Sequence, residues 1–287
     1  MGNLTVGGTG KTPHIEFLVK QLQSQYSLAV LSRGYKRKSN GFFIVESSSP
    51  VTLVGDEPLQ IKTKFPSLVV AVSENRVKGI DELIRLNPSL DVILLDDAYQ
   101  HRYVEVGYNI LLTDYNNLIT KDCFLPLGTL RDSLAEKHRA NCVIVTKCPP
   151  ALKPIDQRII SKELSLMPYQ ELYFSTMVYG DLAPVFADNA QPLDPTHEYS
   201  ILAVMGIANP RPFIDHLVLH YKLSERMVLP DHADYTEKRL QEINSKYESI
   251  ASEAKIIVTT EKDAARIRTL PSFPDKLKPL IFFIPIE

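Results

Sequence analysis

The chain has 287 residues, 44% of them hydrophobic and 23% charged, and its 32 basic and 34 acidic side chains leave a formal net charge of −2. That is enough apolar material for a sizeable core in one large or two modest domains, and two are favoured; the balanced charge argues against a protein that coats nucleic acid, and no apolar run approaches the roughly 20 residues of a membrane-crossing helix. The three cysteines, Cys123, Cys142 and Cys148, lack metal-ligand spacing and read as reduced thiols of a cytosolic protein.

The first landmark along the chain is Thr5-Val6-Gly7-Gly8-Thr9-Gly10-Lys11-Thr12, which leads into a helical pattern from Pro13 to Leu22. In a phosphate-binding loop the glycines let backbone N–H groups curl around phosphate, the lysine reaches the β and γ oxygens, and the last hydroxyl ligates magnesium. Lys11 and Thr12 fit those two roles. Thr5 stands where the usual pattern has its first glycine, and the bland alternative is a Gly-rich turn ahead of a helix.

Nearly all-apolar runs follow at residues 27–32, 68–73, 92–96, 109–113 and 142–146, the texture of strands buried on both faces. Between them, residues 74–86 place Val77, Ile80, Leu83 and Ile84 at helical spacing. Gly55-Asp56-Glu57-Pro58 opens another helical pattern, in which Asp56 taken alone reads as a helix N-cap. Asp96 and Asp97 emerge at the carboxyl end of the 92–96 run, where ligands of open α/β sheets bind. A phosphate loop needs a carboxylate there to help hold magnesium, although strand-end aspartates also cap the next helix. The alternation predicts an α/β fold of the P-loop NTPase type, a parallel sheet with helices on both faces.

Past residue 168 the texture changes. Residues 171–180 and 183–187 look like extended stretches joined by a Gly-Asp turn and followed by a Pro/Asp-rich passage. This predicts a phosphate-loop domain over 1–167, a two-stranded linker over 168–198, and a smaller α/β domain over 199–287. In the last of these, strands are expected at 201–205, 255–260 and 280–284 and helices at 210–221 and 236–252.

The phosphate-loop block from Gly2 to Pro13, together with Asp96-Asp97-Ala98-Tyr99-Gln100-His101, resembles the tetraacyldisaccharide 4'-kinase family. So do, in order, Ser32-Arg33-Gly34-Tyr35, Gly55-Asp56-Glu57-Pro58, Leu125-Pro126-Leu127-Gly128-Thr129-Leu130-Arg131-Asp132, Gly206-Ile207-Ala208-Asn209-Pro210 and Thr260-Glu261-Lys262-Asp263-Ala264. The resemblance spans essentially the whole chain, and Thr5 in place of the first loop glycine is itself characteristic of that family. It implies phosphoryl transfer from ATP, with Mg2+, to the 4'-hydroxyl of a tetraacyldisaccharide 1-phosphate in lipid A biosynthesis. The expected location is peripheral, on the cytoplasmic side of the bacterial inner membrane, with no nucleic-acid partner.

The loop and strand-end readings above make residues 5–12 the expected nucleotide site and Thr12, Asp96 and Asp97 the expected magnesium site, with Asp97 chosen as the closer carboxylate. Lys11 and Arg131 are placed on the transferred phosphoryl. Carried over residue by residue, Asp56 matches the family's catalytic base, and His232 in Pro230-Asp231-His232 matches its dyad partner; without the resemblance His232 reads as a loop histidine. A sugar hydroxyl is a weak nucleophile, so a carboxylate that accepts its proton, oriented by an imidazole, is reasonable chemistry. Arg33, beside Lys36, Arg37 and Lys38, is a weaker candidate: that cluster also reads as a solvated turn or as a partner for the substrate's 1-phosphate or anionic headgroups. Family members carry a helix and a full first strand ahead of the loop, so a truncated start is expected here.

Two rival readings are a nucleotide switch and an inactive nucleotide-binding fragment. A guanine-specific switch needs an Asn/Thr-Lys-X-Asp signature, and Thr146-Lys147-Cys148-Pro149 lacks the aspartate. Turnover of ATP with and without a lipid acceptor separates the readings.

Overall fold

In a computed structural model that describes every residue except Pro195 and His232, the chain forms two compact units. The first comprises Met1–Ser47 and Thr52–Val178, and the second Ser48–Val51 and Tyr179–Glu287. In chain order the first unit contains β1 (Gly2–Asn3), α1 (Lys11–Leu22), β2 (Leu28–Ser32), β3 (Phe43–Ile44), α3 (Asp56–Lys64), β4 (Val69–Val72), α4 (Arg76–Leu86), β5 (Val92–Leu95), β6 (Ile110–Asp114), β7 (Cys142–Thr146), α5 (Pro154–Leu164) and β8 (Glu171–Phe174), while the short α2 (Val51–Val54) straddles the division.

These strands make two four-stranded sheets, ordered β3-β4-β2-β5 and β1-β6-β7-β8. Every pairing is parallel except that of β3 with β4. The sheets meet at Met1, whose amino group donates to the Leu95 carbonyl at 2.9 Å and whose carbonyl accepts from Ala98 N at 3.1 Å. β1 and β5, the strands that lead into the phosphate loop and the paired aspartates, are therefore brought side by side. Gly2 permits the approach, since a Cβ there would lie 2.8 Å from that of Tyr99.

The cores follow from strand periodicity. Every residue of β2 is buried, and its Ala29 and Leu31 pack with Ala71, Leu95 and Leu83 of α4. Val143 and Val145 of β7 meet Ile160 and Leu164 of α5. Each such aliphatic side chain contributes about 1.5–3 kcal/mol by leaving water, which explains why these apolar runs were readable as strands.

The second unit contains β9 (Ala183–Pro184), β10 (Ser200–Met205), α6 (Arg211–His220), β11 (Lys222–Val228), α7 (Glu237–Ser249), β12 (Lys255–Thr260), α8 (Glu261–Arg268) and β13 (Ile281–Ile284). Its sheet runs β11-β10-β12-β13-β9, parallel except for β9. Ile201, Ala203 and Met205 of β10 face Phe213 and Leu217 of α6, whereas Leu202 and Val204 face Leu240 and Ile243 of α7. Helices thus cover both faces. Two of the sequence blocks meet here: the Asp263 carboxylate accepts from Gly206 N at 2.8 Å and from the Thr260 hydroxyl at 2.7 Å, and Thr260 caps α8 through Asp263 N.

The two-stranded linker expected over 168–198 is not what forms. Glu171–Phe174 is the parallel edge strand of the first unit, paired with β7, and Ala183–Pro184 is the antiparallel edge strand of the second, paired with β13. The division falls at Val178/Tyr179 rather than at an extended ribbon. Each short stretch gains more by completing a sheet edge than by pairing with the other, because an edge offers unpaired backbone N–H and C=O groups over a packed core.

Candidate active site

The phosphate loop runs from the end of β1 to the start of α1. Gly10, at φ 82°, is the residue before the helix, a left-handed position that costs glycine little. A Cβ at Gly7 or Gly8 would meet nothing within 4 Å, so the two glycines border open space, as a loop that admits an anion to its backbone must. The loop is held from below: the Thr146 hydroxyl donates to the Thr9 carbonyl at 2.9 Å, and His14 Nδ1 lies 2.7 Å from the Gly10 carbonyl. That contact makes Nδ1 the protonated nitrogen and leaves Nε2 to accept from the Ser175 hydroxyl at 2.9 Å. Burial pushes the His14 pKa down, only partly opposed by the Gly10 bond, so the ring is held neutral.

Along its other side the loop gains a pairing partner. Thr5 bridges Leu130, Val6 N donates to the Thr129 carbonyl at 2.7 Å, and Arg131 N donates to the Leu4 carbonyl at 2.8 Å. Asp122 fixes this partner by accepting from Cys123 N at 2.7 Å, from Thr129 N at 2.9 Å and from the Thr129 hydroxyl. Arg131 is thereby delivered to the phosphate loop from 119 residues beyond Thr12.

The two aspartates differ sharply. Asp97, at φ 46°, turns back to accept from Arg131 Nη2 at 2.6 Å and to pair with Lys11 Nζ at 3.5 Å. Burial alone would raise its pKa, but Lys11 and Arg131 outweigh burial and hold it below the usual carboxylate range. Asp96 is buried, with Oδ2 accepting from the Ser32 hydroxyl at 3.1 Å and Oδ1 lacking any hydrogen-bond partner among the described residues. Burial and then the charge of Asp97 push its pKa up. Beneath it, Arg76 is buried and donates to the Asp96 carbonyl at 2.9 Å; loss of solvent lowers its pKa to about 10.

Asp56 is the first residue of α3 and is buried, one position past the cap, which Gly55 occupies. The N-cap reading of Asp56 therefore does not describe the structure. Gly55 (φ 91°, ψ 161°) lies against the Ser32–Tyr35 block: a Cβ on it would stand 3.2 Å from Gly34 C, Gly34 Cα and Tyr35 O. On the far side, Gln60 and Lys64 of α3 hold the buried Glu16 of α1 at 2.8 and 2.7 Å. The charge of Glu57 raises the Asp96 pKa and that of Arg33 lowers the His101 pKa behind burial and Arg76, so these loops share one electrostatic neighbourhood with the paired aspartates.

The structure thus gathers Lys11, Arg131, Asp96 and Asp97 at the phosphate loop. His232 lies outside the described residues. Asn3, inside the first sequence block but given no role there, turns out to touch both cations; its signal was its place directly before the loop. Lys147, in the segment compared with a guanine-reading signature, is instead committed to Asp114 at 2.6 Å.

The family model of the tetraacyldisaccharide-1-P 4'-kinases, LpxK, matches residues 1–287. The chain belongs to the tetraacyldisaccharide 4'-kinase family. Among curated relatives, the tetraacyldisaccharide 4'-kinase of Bacteroides thetaiotaomicron is 48% identical over 297 residues, covering 100% of this chain and 78% of the relative, and that of Flavobacterium johnsoniae is 41% identical, covering 100% and 81%. Among solved structures, "apo" form LpxK from Aquifex aeolicus, in complex with ATP, superposes with a TM-score of 0.74 at 29% identity, over 99% of this chain and 81% of the other. An α/β kinase fold at this likeness agrees with the parallel sheets described above.

Proposed function

We propose that the chain transfers the γ-phosphoryl group of ATP to the 4'-hydroxyl of a tetraacyldisaccharide 1-phosphate, the step of lipid A synthesis for which its family is named. The observation that carries the assignment to this site is the side-by-side seating of Lys11 and Arg131 on Asp97, at the start of the helix that follows a loop whose Gly7 and Gly8 border open space. Two cations facing one carboxylate leave a net positive charge where phosphate oxygens would lie, and phosphoryl transfer depends mainly on positioning and charge stabilisation.

Residues 5–12 hold the nucleotide in this reading, Lys11 taking the β and γ oxygens. Magnesium fits the donor set: the unpartnered Asp96 Oδ1 and the Thr12 hydroxyl are hard oxygen donors, and no third carboxylate is needed because Mg2+ keeps waters and phosphate oxygens as its other ligands. When bound, the ion neutralises charge on the β and γ phosphates. The balance of the two carboxylates favours Asp96 over Asp97 as the closer ligand, since Asp97 is already neutralised by Lys11 and Arg131. Asp56 accepts the proton of the attacking hydroxyl, with His232 as its partner on the strength of the family pattern. The lipid acceptor implies work at the inner-membrane surface on the cytoplasmic side, where ATP is available. No helix among the described residues is long and apolar enough to cross a membrane, which suits peripheral contact, and nothing in the site favours nucleic acid.

The test is ATP-dependent phosphorylation of tetraacyldisaccharide 1-phosphate by the purified chain and by Lys11→Ala. Acceptor-dependent turnover lost in the variant, with its fold intact, is expected. ATP hydrolysis indifferent to the acceptor, or near-normal transfer by Lys11→Ala at saturating ATP, would overturn the reading.

A further inference from the structure

Asn3 ends β1, two residues before the phosphate loop, and is fully buried. Its side-chain oxygen accepts from Lys11 Nζ at 3.3 Å and from Arg131 Nη2 at 2.7 Å, while its amide nitrogen donates to the Thr5 hydroxyl at 3.3 Å. Its main-chain carbonyl accepts from Gln100 Nε2 at 2.8 Å and, more weakly, from Arg131 Nη2 at 3.4 Å. Donors on one side and a hydroxyl on the other fix which way the amide points.

Lys11 and Arg131 thus share two acceptors, Asn3 Oδ1 and Asp97 Oδ1, at 3.3, 2.7, 3.5 and 2.6 Å. One acceptor is neutral and the other charged. Two like charges forced this close repel, and the two cations are only partly exposed to solvent, so both acceptors are needed to keep the pair together. Were both acceptors carboxylates, the cations would be fully neutralised and would lose their pull on phosphate. An amide supplies an acceptor's geometry without its charge.

We propose that Asn3 is a positioning residue for phosphoryl transfer, holding Lys11 and Arg131 side by side while leaving one uncompensated positive charge for the phosphate. The proposal rests on the reading of Lys11 and Arg131 as the phosphoryl-facing cations. The backbone of Asn3 is fixed by the β1–β6 pairing to Leu112, so its side chain is referenced to the sheet rather than to the mobile ends of the two long cations. Displacement of a reacting group by about 1 Å can cost on the order of 10²-fold in rate, which is the scale of effect such a reference point controls.

The test uses the full chain with ATP and the lipid acceptor, measuring kcat, equilibrium binding of a fluorescent ATP analogue, and Tm. Asn3→Ser is neutral but too short to reach both cations; it should lower kcat by about tenfold or more with nucleotide affinity within about threefold of wild type. Asn3→Asp keeps the reach and adds charge, and should lower both kcat and nucleotide affinity. In an Arg131→Gln background the Asn3→Ser loss should shrink, because its partner is gone. A kcat for Asn3→Ser within twofold of wild type, an unchanged nucleotide affinity in Asn3→Asp, full additivity with Arg131→Gln, or failure of both Asn3 variants to fold would each overturn the proposal. Lys11→Ala run alongside separates the two failures: normal turnover there sinks the phosphate-loop reading whatever Asn3 does.

Discussion

Gly55→Ala should uncouple transfer from nucleotide binding. Gly55 sits at φ 91°, ψ 161°, a region closed to residues with a Cβ, and holding alanine there costs about 1–3 kcal/mol. The added methyl would also lie 3.2 Å from Gly34 C, Gly34 Cα and Tyr35 O. These are backbone atoms that cannot rotate away, and overpacking of this kind costs a further ~1–3 kcal/mol. The sum, about 2–6 kcal/mol, is a large share of the ~5–15 kcal/mol that keeps a domain folded. Part of it will be relieved by displacing the start of α3, and Asp56 is the next residue. The expected outcome is a variant that unfolds at lower denaturant, binds the ATP analogue nearly as well as wild type, and turns over at least tenfold more slowly. Urea denaturation, nucleotide titration and kcat at saturating substrates provide the three readings. Wild-type stability and turnover in Gly55→Ala would refute the packing argument, and a turnover loss matched by lost nucleotide affinity would refute the link to Asp56.

Asp96→Asn should raise the magnesium concentration for half-maximal activity more than Asp97→Asn does; equal half-saturation in wild type and both variants would remove the aspartates from the metal site. Asp56→Ala should lower kcat by about 10²–10⁴-fold with little change in ATP affinity, and combining it with His232→Ala should cost less than the product of the single losses; a tenfold loss or smaller at Asp56, or full additivity, would dissolve the pair. His14 is neutral in the fold with its pKa depressed below 6.5, so its contribution to stability is fully present above the ordinary histidine range and is lost as pH falls through it. Urea unfolding between about pH 7 and pH 5 should fall less steeply in His14→Asn than in wild type, and parallel slopes would contradict the buried, neutral ring.

Much of the fold was legible because its strands are buried on both faces. β2, β7, β10 and β12 are apolar enough for composition alone to find them. β11 was missed because it is an edge strand, whose Lys222, Ser224, Glu225 and Arg226 face solvent, and polar alternation there looks like loop. α8 was missed for the opposite reason: Glu261, Asp263 and Arg266 are buried but polar, Asp263 and Arg266 pairing with each other and with Gly206 and Glu261 accepting from Ile286 N, and such pairing leaves no apolar stripe in the sequence. The supposed linker failed because β8 and β9 gain their partners, β7 and β13, across distances that local pattern cannot see. At the site, the phosphate loop and the paired aspartates announced themselves by residue type and spacing. The contacts of Arg131 and Asn3 did not, since both depend on the Asp122-fixed segment folding back along the loop.

The adjacent aspartates show how one strand end can present two carboxylates of opposite character. Both lie in the turn just past β5, which ends at Leu95, and the left-handed backbone at Asp97 sends the second carboxylate across to Lys11 and Arg131. Charge there is compensated within the protein, and its pKa is depressed accordingly. Asp96 is left with a serine hydroxyl on one oxygen and, among the described residues, no hydrogen-bond partner on the other, and its pKa is raised. A buried carboxylate in that condition is costly to the fold unless a cation comes to it. Arg76 feels the charge of Asp96, but its hydrogen bonds go to the Ser73 and Asp96 carbonyls rather than to the carboxylate. In the proposed site the two carboxylates thus answer to different partners, although the charge of Asp97 adds to the upward push on Asp96: loss of Asp97 should disturb the seating of Lys11 and Arg131, whereas loss of Asp96 should be felt through the metal.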